Sequence, residues 1–249
     1  MRVVVLSSGS RGNTTYIEIN NIKILIDFGN SNKYVCDKLA KLEVSPSEID
    51  YVFLTHTHND HIKGLEVFLK KNNPTVFLTK TMHEKLPYLN KYKYLPTNVL
   101  TINNINIDII NTSHDVESRG YIISYEEKSL VYITDTGYIN QKYFPLLKNK
   151  TIYIMESNHD VEMLMNGRYQ FPLKQRILGD KGHLSNIDSA KYLEQLIGLN
   201  TKYIILAHLS EENNNPHLAY ETISTRLINK NINNIFIATQ NKETETIEI

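Results

Sequence analysis

Cysteine is almost missing from this chain of 249 residues: Cys36 is the single one, so no disulfide can close within it and a reducing compartment fits best. Long hydrophobic runs are missing too. No segment approaches the roughly 20 apolar residues that a membrane-spanning helix needs, and the apolar start of "MRVVVLSSGSRG" is far too short for a signal peptide. A cytoplasmic protein without a membrane partner is expected. There is no excess charge of either sign, since Lys+Arg and Asp+Glu stand at 27 each. A globally basic surface is thereby excluded, and any contact with a polyanion has to come from a local patch. Low-complexity linkers and short-period repeats are also lacking, which excludes a solenoid and leaves no evident boundary. With 41% hydrophobic residues the chain can bury a sizeable core, and the expectation is one domain over residues 1–249.

What is present is a series of short β-type segments with helical segments after them. "RVVVL", "TTYIEI" and "IKILID" are rich in β-branched residues and separated by turn chemistry in "SSGSRGN" and "NN". "NKYVCDKLAKL" puts Val35, Leu39 and Leu42 on one helical face, and "SPSEID" follows as a break with a helix-start signal. "YVFLT" reads as a buried strand, and "IKGLEVFLKKN" as a helix beyond it. The plan then recurs. "NVLTI", "INIDII", "GYIISY", "SLVYIT", "TIYIME", "KYIILAHLS" and "NIFIAT" read as strands; "INQKYFPLLKN", "LSNIDSAKYLEQLIG" and "HLAYETISTRLINK" read as helices. Two successive sets of strands, each with helices, predict an α/β fold with two sheets face to face and helices outside.

The histidines carry the chemistry. In "THTHNDH", His56 and His58 stand two apart at a strand end, where a bend can turn both imidazoles toward one point. Asp60 and His61 follow on the turn into the helix and can face a second point. Histidine and carboxylate ligands suit zinc, manganese or iron. A polar turn that happens to be rich in histidine is the bland alternative, and four potential ligands within six residues weigh against it. More ligands are needed, and three further strand ends supply them: His114, Asp135 and His208. Asp135 suits a bridging role, because a carboxylate can give one oxygen to each of two cations. A lone histidine at a strand end is usually structural; together with the first cluster these three close an inventory. His56, His58 and His114 would hold one cation, and Asp60, His61 and His208 the other.

This pattern resembles the metallo-β-lactamase superfamily, over nearly the whole chain. Asp27 in "ILIDFG" matches the aspartate that orients the metal site from behind the ligands. "HTHNDH" matches the His-x-His-x-Asp-His motif, and His114, Asp135 and His208 match the later ones. The resemblance implies a four-layer αββα sandwich holding two divalent metal ions, zinc or manganese. Asp135 stands where the namesake lactamases typically have cysteine, and His58 where the di-iron flavoproteins of this fold have glutamate. Phosphodiesterases and glyoxalase-like thioesterases remain compatible.

Glu156 in "MESNHD" and His183 in "GDKGHLSN" resemble the pair that ribonuclease Z and related nucleases add to the metal core. A histidine held by a carboxylate can protonate the departing oxygen after attack by metal-activated water, so Asp60, Glu156 and His183 are the expected catalytic residues. A surface histidine and a solvated acid are the alternative for that pair. "LSSGSRGNTTYIE", "ESNHD", "LKQRILGDKGHLSN" and "LAHLSEENNNP" together are similar to the YycJ/WalJ family, which implies exonuclease action on DNA from the 5′ end. A small-molecule phosphodiesterase, an RNA nuclease or a thioesterase are the alternatives. No long arm or inserted domain is available for grip. Lys174, Arg176 and Lys181, with Ser8, Arg11 and Asn13 in the glycine-containing loop, are candidates for backbone phosphates, against a plain solvated surface. His159 is expected near the site through Glu156, or in a structural role. His83 and His217 read as surface or packing residues. Some of the 16 tyrosines could stack on bases; which ones is open, and core packing is the default.

Overall fold

The first three β-branched runs form an antiparallel meander, β1 (Arg2–Ser7), β2 (Thr14–Ile19) and β3 (Ile22–Ile26), in the computed structural model, which describes residues 1–230 and 232–249. Asn20 and Asn21 both adopt positive φ, 48° and 65°, as a two-residue hairpin turn requires. Three parallel strands follow: β4 (Tyr51–Phe53) beside β3, then β5 (Thr75–Leu78) and β6 (Tyr92–Tyr94). Helices α1 (Asn32–Lys41), α2 (Asn59–Ile62), α3 (Leu65–Leu69) and α4 (Lys80–Glu84) lie between them in sequence. Ser31 caps α1 by accepting from the Tyr34 N–H at 3.2 Å, and Val35 and Leu39 are buried with Leu65 and Phe68 of α3 in one core. Leu42 packs against that core from a half-buried position.

The segment after the histidine turn is not one helix, as its pattern predicts, but two. Gly64 lies between α2 and α3 and donates its N–H outside the helix, to Phe28 O at 3.1 Å, while Asn30 O, which would meet a Cβ there at 2.2 Å, leaves room only for glycine.

Residues 98–238 form a second compact unit with the same plan; residues 1–97 and 239–249 form the first. Strands β7 (Val99–Ile102), β8 (Ile105–Asn111), β9 (Arg119–Tyr125) and β10 (Lys128–Ile133) are antiparallel neighbours. Here too an asparagine pair, Asn103 and Asn104, takes φ of 47° and 66° in the hairpin. After α5 (Phe144–Leu147) comes β11 (Ile152–Glu156), then α6 (Val161–Asn166), α7 (Phe171–Leu178), α8 (Asn186–Leu196), β12 (Tyr203–Ala207), α9 (Pro216–Arg226) and β13 (Ile235–Ile237). β10, β11, β12 and β13 pair in parallel. Ala190, Leu193 and Leu196 of α8 and Ala219 and Ile223 of α9 are buried against Val131, Tyr153 and Ile204 of the sheet. The chain then returns to the first unit, where β14 (Ile247–Glu248) pairs with β1. Each unit thus holds a seven-stranded mixed sheet with helices packed on it. The division falls at no linker of unusual composition, because the last eleven residues complete the first sheet.

Candidate metal and catalytic site

In parallel α/β sheets, ligands collect at the carboxyl ends of the strands. Both units place their chemistry there. In the first unit Asp27 follows β3, and its φ of 60°, rare for a residue other than glycine, aims its carboxylate back under the next strand end. Asp27 Oδ1 accepts the Thr55 N–H at 2.8 Å, and Oδ2 accepts the Thr55 hydroxyl and the His61 Nδ1–H, both at 2.7 Å. The Thr55 oxygen in turn lies 3.0 Å from His56 Nδ1. Each histidine therefore carries its proton on Nδ1 and its lone pair on Nε2, the form a metal ligand takes. Burial pushes the Asp27 carboxyl up, against the pull of His61 and Thr55.

The rings of His56 and His61 lie 4.0 Å apart and those of His56 and His58 4.7 Å apart. Asp60 Oδ2 sits 3.4 Å from His61 Nε2. Two ligands at about 2.1 Å from a tetrahedral cation stand about 3.4 Å apart, so this donor pair fits one. Gly29 closes the turn, since a Cβ there would fall 1.6 Å from the Asp60 carbonyl oxygen.

In the second unit the groups come from distant positions. His114 follows β8, Asp135 follows β10, Glu156 ends β11, His183 precedes α8 and His208 follows β12. Asp135 and His208 take positive φ, 54° and 58°. Ligand atoms of Asp135, Glu156, His183 and His208 lie within 4.8 Å of one another. Asp135 Oδ1 is 3.5 Å from His208 Nε2 and 3.9 Å from His114 Nε2, again close to the separation that a shared cation imposes. Burial lowers His114 and keeps it neutral.

Glu156 is the hub. Fully buried, it accepts four hydrogen bonds: the Nδ1–H groups of His183 at 2.8 Å and His208 at 2.9 Å on Oε1, and the N–H groups of Thr136 at 3.0 Å and Leu184 at 3.1 Å on Oε2. Burial alone would raise its carboxyl; His183 and His208 hold it down at about 2, so it stays anionic. The hydrogen bond to His183 is the carboxylate–histidine contact that the sequence pattern led us to expect. His183 keeps partial solvent access, with its ring 5.2 Å from those of both His114 and His208.

Three of the six grip candidates are turned inward instead. The Lys174 ammonium donates to the carbonyls of Met165 at 2.6 Å and Gly167 at 2.8 Å, so it pins the loop before α7 rather than meeting phosphate. Buried Asn13 places Nδ2 3.2 Å from Asp60 Oδ2 and 3.0 Å from His61 Nε2, while its Oδ1 accepts from Gly9 N–H and the Ser8 hydroxyl. These two brace the ligand turn. Arg11, Arg176 and Lys181 are exposed. His159 is buried at 1% exposure, neither ring nitrogen has a hydrogen-bond partner among the described residues, and burial lowers it to about 4.

Sequence reasoning misses the asparagines behind this site. Asn158 Nδ2 donates to His208 O at 2.9 Å, and Asn214 Nδ2 donates to the carbonyls of Ser157 at 2.9 Å and Asn158 at 3.1 Å. Asn186 and Asn214 exchange amide hydrogen bonds at 2.9 Å, and the Ser157 hydroxyl completes the set on Asn186 Oδ1. "ESNHD" and "NNNP" carried the signal, since a side-chain amide is costly to bury without partners.

Comparison with known proteins agrees with these motifs. The family model described as the metallo-beta-lactamase superfamily matches residues 8–118. The "Exodeoxyribonuclease WalJ" of Streptococcus pneumoniae serotype 2 (strain D39 / NCTC 7466) is 38% identical over 233 residues, 90% of this chain and 87% of that one. The "Exodeoxyribonuclease YycJ" of Bacillus anthracis is 36% identical over 234 residues, 91% of this chain and 89% of that one. Among solved structures, the metallo-beta-lactamase fold protein YhfI from Bacillus subtilis aligns with a TM-score of 0.74, 18% identity and 98% coverage of both chains. With its motifs, strand order and relatives in agreement, this chain has the metallo-beta-lactamase fold and belongs to the metallo-beta-lactamase superfamily, in the family of the WalJ and YycJ exodeoxyribonucleases.

Proposed function

We propose that the chain is a metal-dependent phosphodiesterase that degrades DNA as a 5′-to-3′ exonuclease in the cytoplasm. The observation that carries this reading is Glu156, one buried carboxylate that fixes a metal-type histidine, His208, and a partly exposed histidine, His183, at the same time. The relatives named exodeoxyribonucleases support it over nearly the full chain. His56, His58 and His114 would hold one divalent cation and Asp60, His61 and His208 the other, zinc or manganese, and Asp135 would be a further ligand. When bound, such a pair activates water and neutralises charge on the attacked phosphate. His183 gives its Nε2 proton to the departing oxygen, and Glu156, bonded to the opposite ring nitrogen, stabilises the imidazolium that must carry it.

Grip on the backbone falls to groups beside this chemistry. A polar cleft of about 210 Å³ is lined by Thr112, Ser113, Tyr138, Asn140 and Lys142. Ser113 immediately precedes His114, and Tyr138 follows Asp135 by three residues. That volume falls below the ~300–1,000 Å³ of sites that enclose whole small molecules, so it suits one backbone phosphate beside the Lys142 ammonium. Among the described residues no helix is long and apolar enough to cross a membrane.

The test is digestion of end-labelled duplexes with defined 5′ chemistry, with zinc and manganese supplied separately. Single-stranded RNA, bis-p-nitrophenyl phosphate and a glutathione thioester run in parallel. Release of nucleotides from the 5′ end is expected, and cleavage of the small phosphodiester alone overturns the nuclease. His183→Ala should lower turnover by about 10²–10⁴-fold while bound metal stays at the wild-type level. Unchanged nuclease activity in that variant removes His183 from the mechanism.

A further inference from the structure

The first unit carries a second concentration of binding chemistry that the reaction above leaves unused. His83 of α4 and Tyr92 and Tyr94 of β6 pack as three mutually contacting rings. Centroid distances are 4.0 Å for His83 with Tyr92, 5.4 Å for Tyr92 with Tyr94 and 5.8 Å for His83 with Tyr94. His83 Nδ1 and the Tyr94 hydroxyl are within hydrogen-bond distance at 3.1 Å, so Tyr94 is held in place rather than left to swing. Yet Tyr94 remains 48% exposed. Packing against the core accounts for Tyr92, which touches it, and not for the open ring of Tyr94.

The surroundings are cationic in a chain whose total charge is zero. Residues 80–93 contain Lys80, Lys85, Lys91 and Lys93 against one acid, Glu84. Lys91 is occupied by the Asn73 carbonyl, while Lys80, Lys85 and Lys93 are exposed. β6 is the edge strand of its sheet, and lysine on an edge also guards against strand addition. That duty explains the charges and leaves the three stacked rings unexplained.

Topology sets the patch beside the ligand turn. β4, β5 and β6 run parallel, with Phe53 opposite Phe77 and Leu78 opposite Tyr94. Tyr94 is therefore level with Leu54, two residues before His56 and two strand spacings away, roughly 10 Å. We infer that Tyr94, propped by His83 and Tyr92, is a stacking platform for a base of single-stranded nucleic acid, whose backbone Lys80, Lys85 and Lys93 attract. This rests on the nuclease reading and adds to it the place where an unpaired strand end is held.

The experiment is fluorescence anisotropy of labelled oligodeoxythymidine in EDTA, where nothing turns over, with duplex degradation assayed separately in the presence of metal. Tyr94→Ala should weaken binding on the order of ten-fold, and Tyr94→Phe, which keeps the ring, should retain it. Lys80→Glu with Lys85→Glu and Lys93→Glu should flatten the salt dependence by about 0.7 for each phosphate that a lysine no longer neutralises. Tyr220→Ala on α9, where the ring is similarly exposed at 43%, should bind as the wild type does. Wild-type affinity in Tyr94→Ala, equal losses in the Phe and Ala variants, or no binding by the wild-type protein each overturns the platform. Binding lost in Tyr94→Ala by a protein that degrades no DNA upholds the platform and overturns the nuclease. A protein that degrades DNA with unchanged Tyr94→Ala binding does the reverse.

Discussion

The two units build their ligand groups in opposite ways. In the first, one strand end and the turn after it supply His56, His58, Asp60 and His61, and Asp27 from the neighbouring strand braces them through Thr55 and His61. In the second, each functional residue comes from a different segment, and Glu156 gathers four donors to hold two of the histidines. A local cluster needs one turn to form correctly. A dispersed one needs the register of a whole sheet, and it concentrates the consequences of error on the group that ties it together.

Glu156→Gln should therefore have the larger effect. An amide in place of the carboxylate turns an NH₂ toward at least one pair of N–H donors. Each stranded donor costs about 1–3 kcal/mol, so turnover, bound metal and melting temperature should all fall. Asp27→Asn should act more narrowly: its NH₂ would face the Thr55 hydroxyl, which can rotate away, and the His61 Nδ1–H, so metal affinity should drop by about 10–100-fold with a smaller fall in melting temperature. Metal titration and a melting curve on both variants decide the matter. If Asp27→Asn proves as damaging as Glu156→Gln on every measure, the contrast between local and dispersed bracing is wrong.

A smaller effect probes what holds the returning C-terminal segment onto the first unit. Glu243 pairs with Lys38 and Lys41 of α1, and Lys38, then Lys41, hold its carboxyl down from 4.5 to about 2. Its carboxylate is thus easier to ionise in the folded state. The stabilisation is present above about pH 4.5 and is lost as pH falls toward 2. Lys38 is buried and Glu243 half-buried, but Lys41 is exposed, and solvent screening there limits the contribution of Glu243 to about 1 kcal/mol. Glu243→Gln should remove that part of the acid sensitivity in a pH series of melting curves, while bound metal stays unchanged. An identical pH series would show that these lysines do not secure the segment.

Much of this architecture was legible in residue order. The β-branched runs and the "NN" turn between β2 and β3 depend on neighbours within a few positions, and they form where the pattern places them. The histidine turn was legible for the same reason, since four ligand types within six residues need no knowledge of the rest of the chain. β5 and β6 were harder, because strands of four and three residues show too little alternation to stand out. The single helix expected after the turn became two, and the constraint on Gly64 between them comes from the Asn30 carbonyl, far away in sequence.

Residue types alone determined that this chain offers histidine and carboxylate ligands at strand ends and that its polyanion contacts must be local. Which lysines and asparagines reach solvent was decided only by tertiary structure. Lys174, Ser8 and Asn13 face inward because buried carbonyls and ligand atoms need their donors, a demand set by packing. Left-handed backbone at Asp27, Asp135 and His208 belongs to the same class. Aspartate and histidine are strained there, and only the surrounding sheet makes the strained form the most stable one.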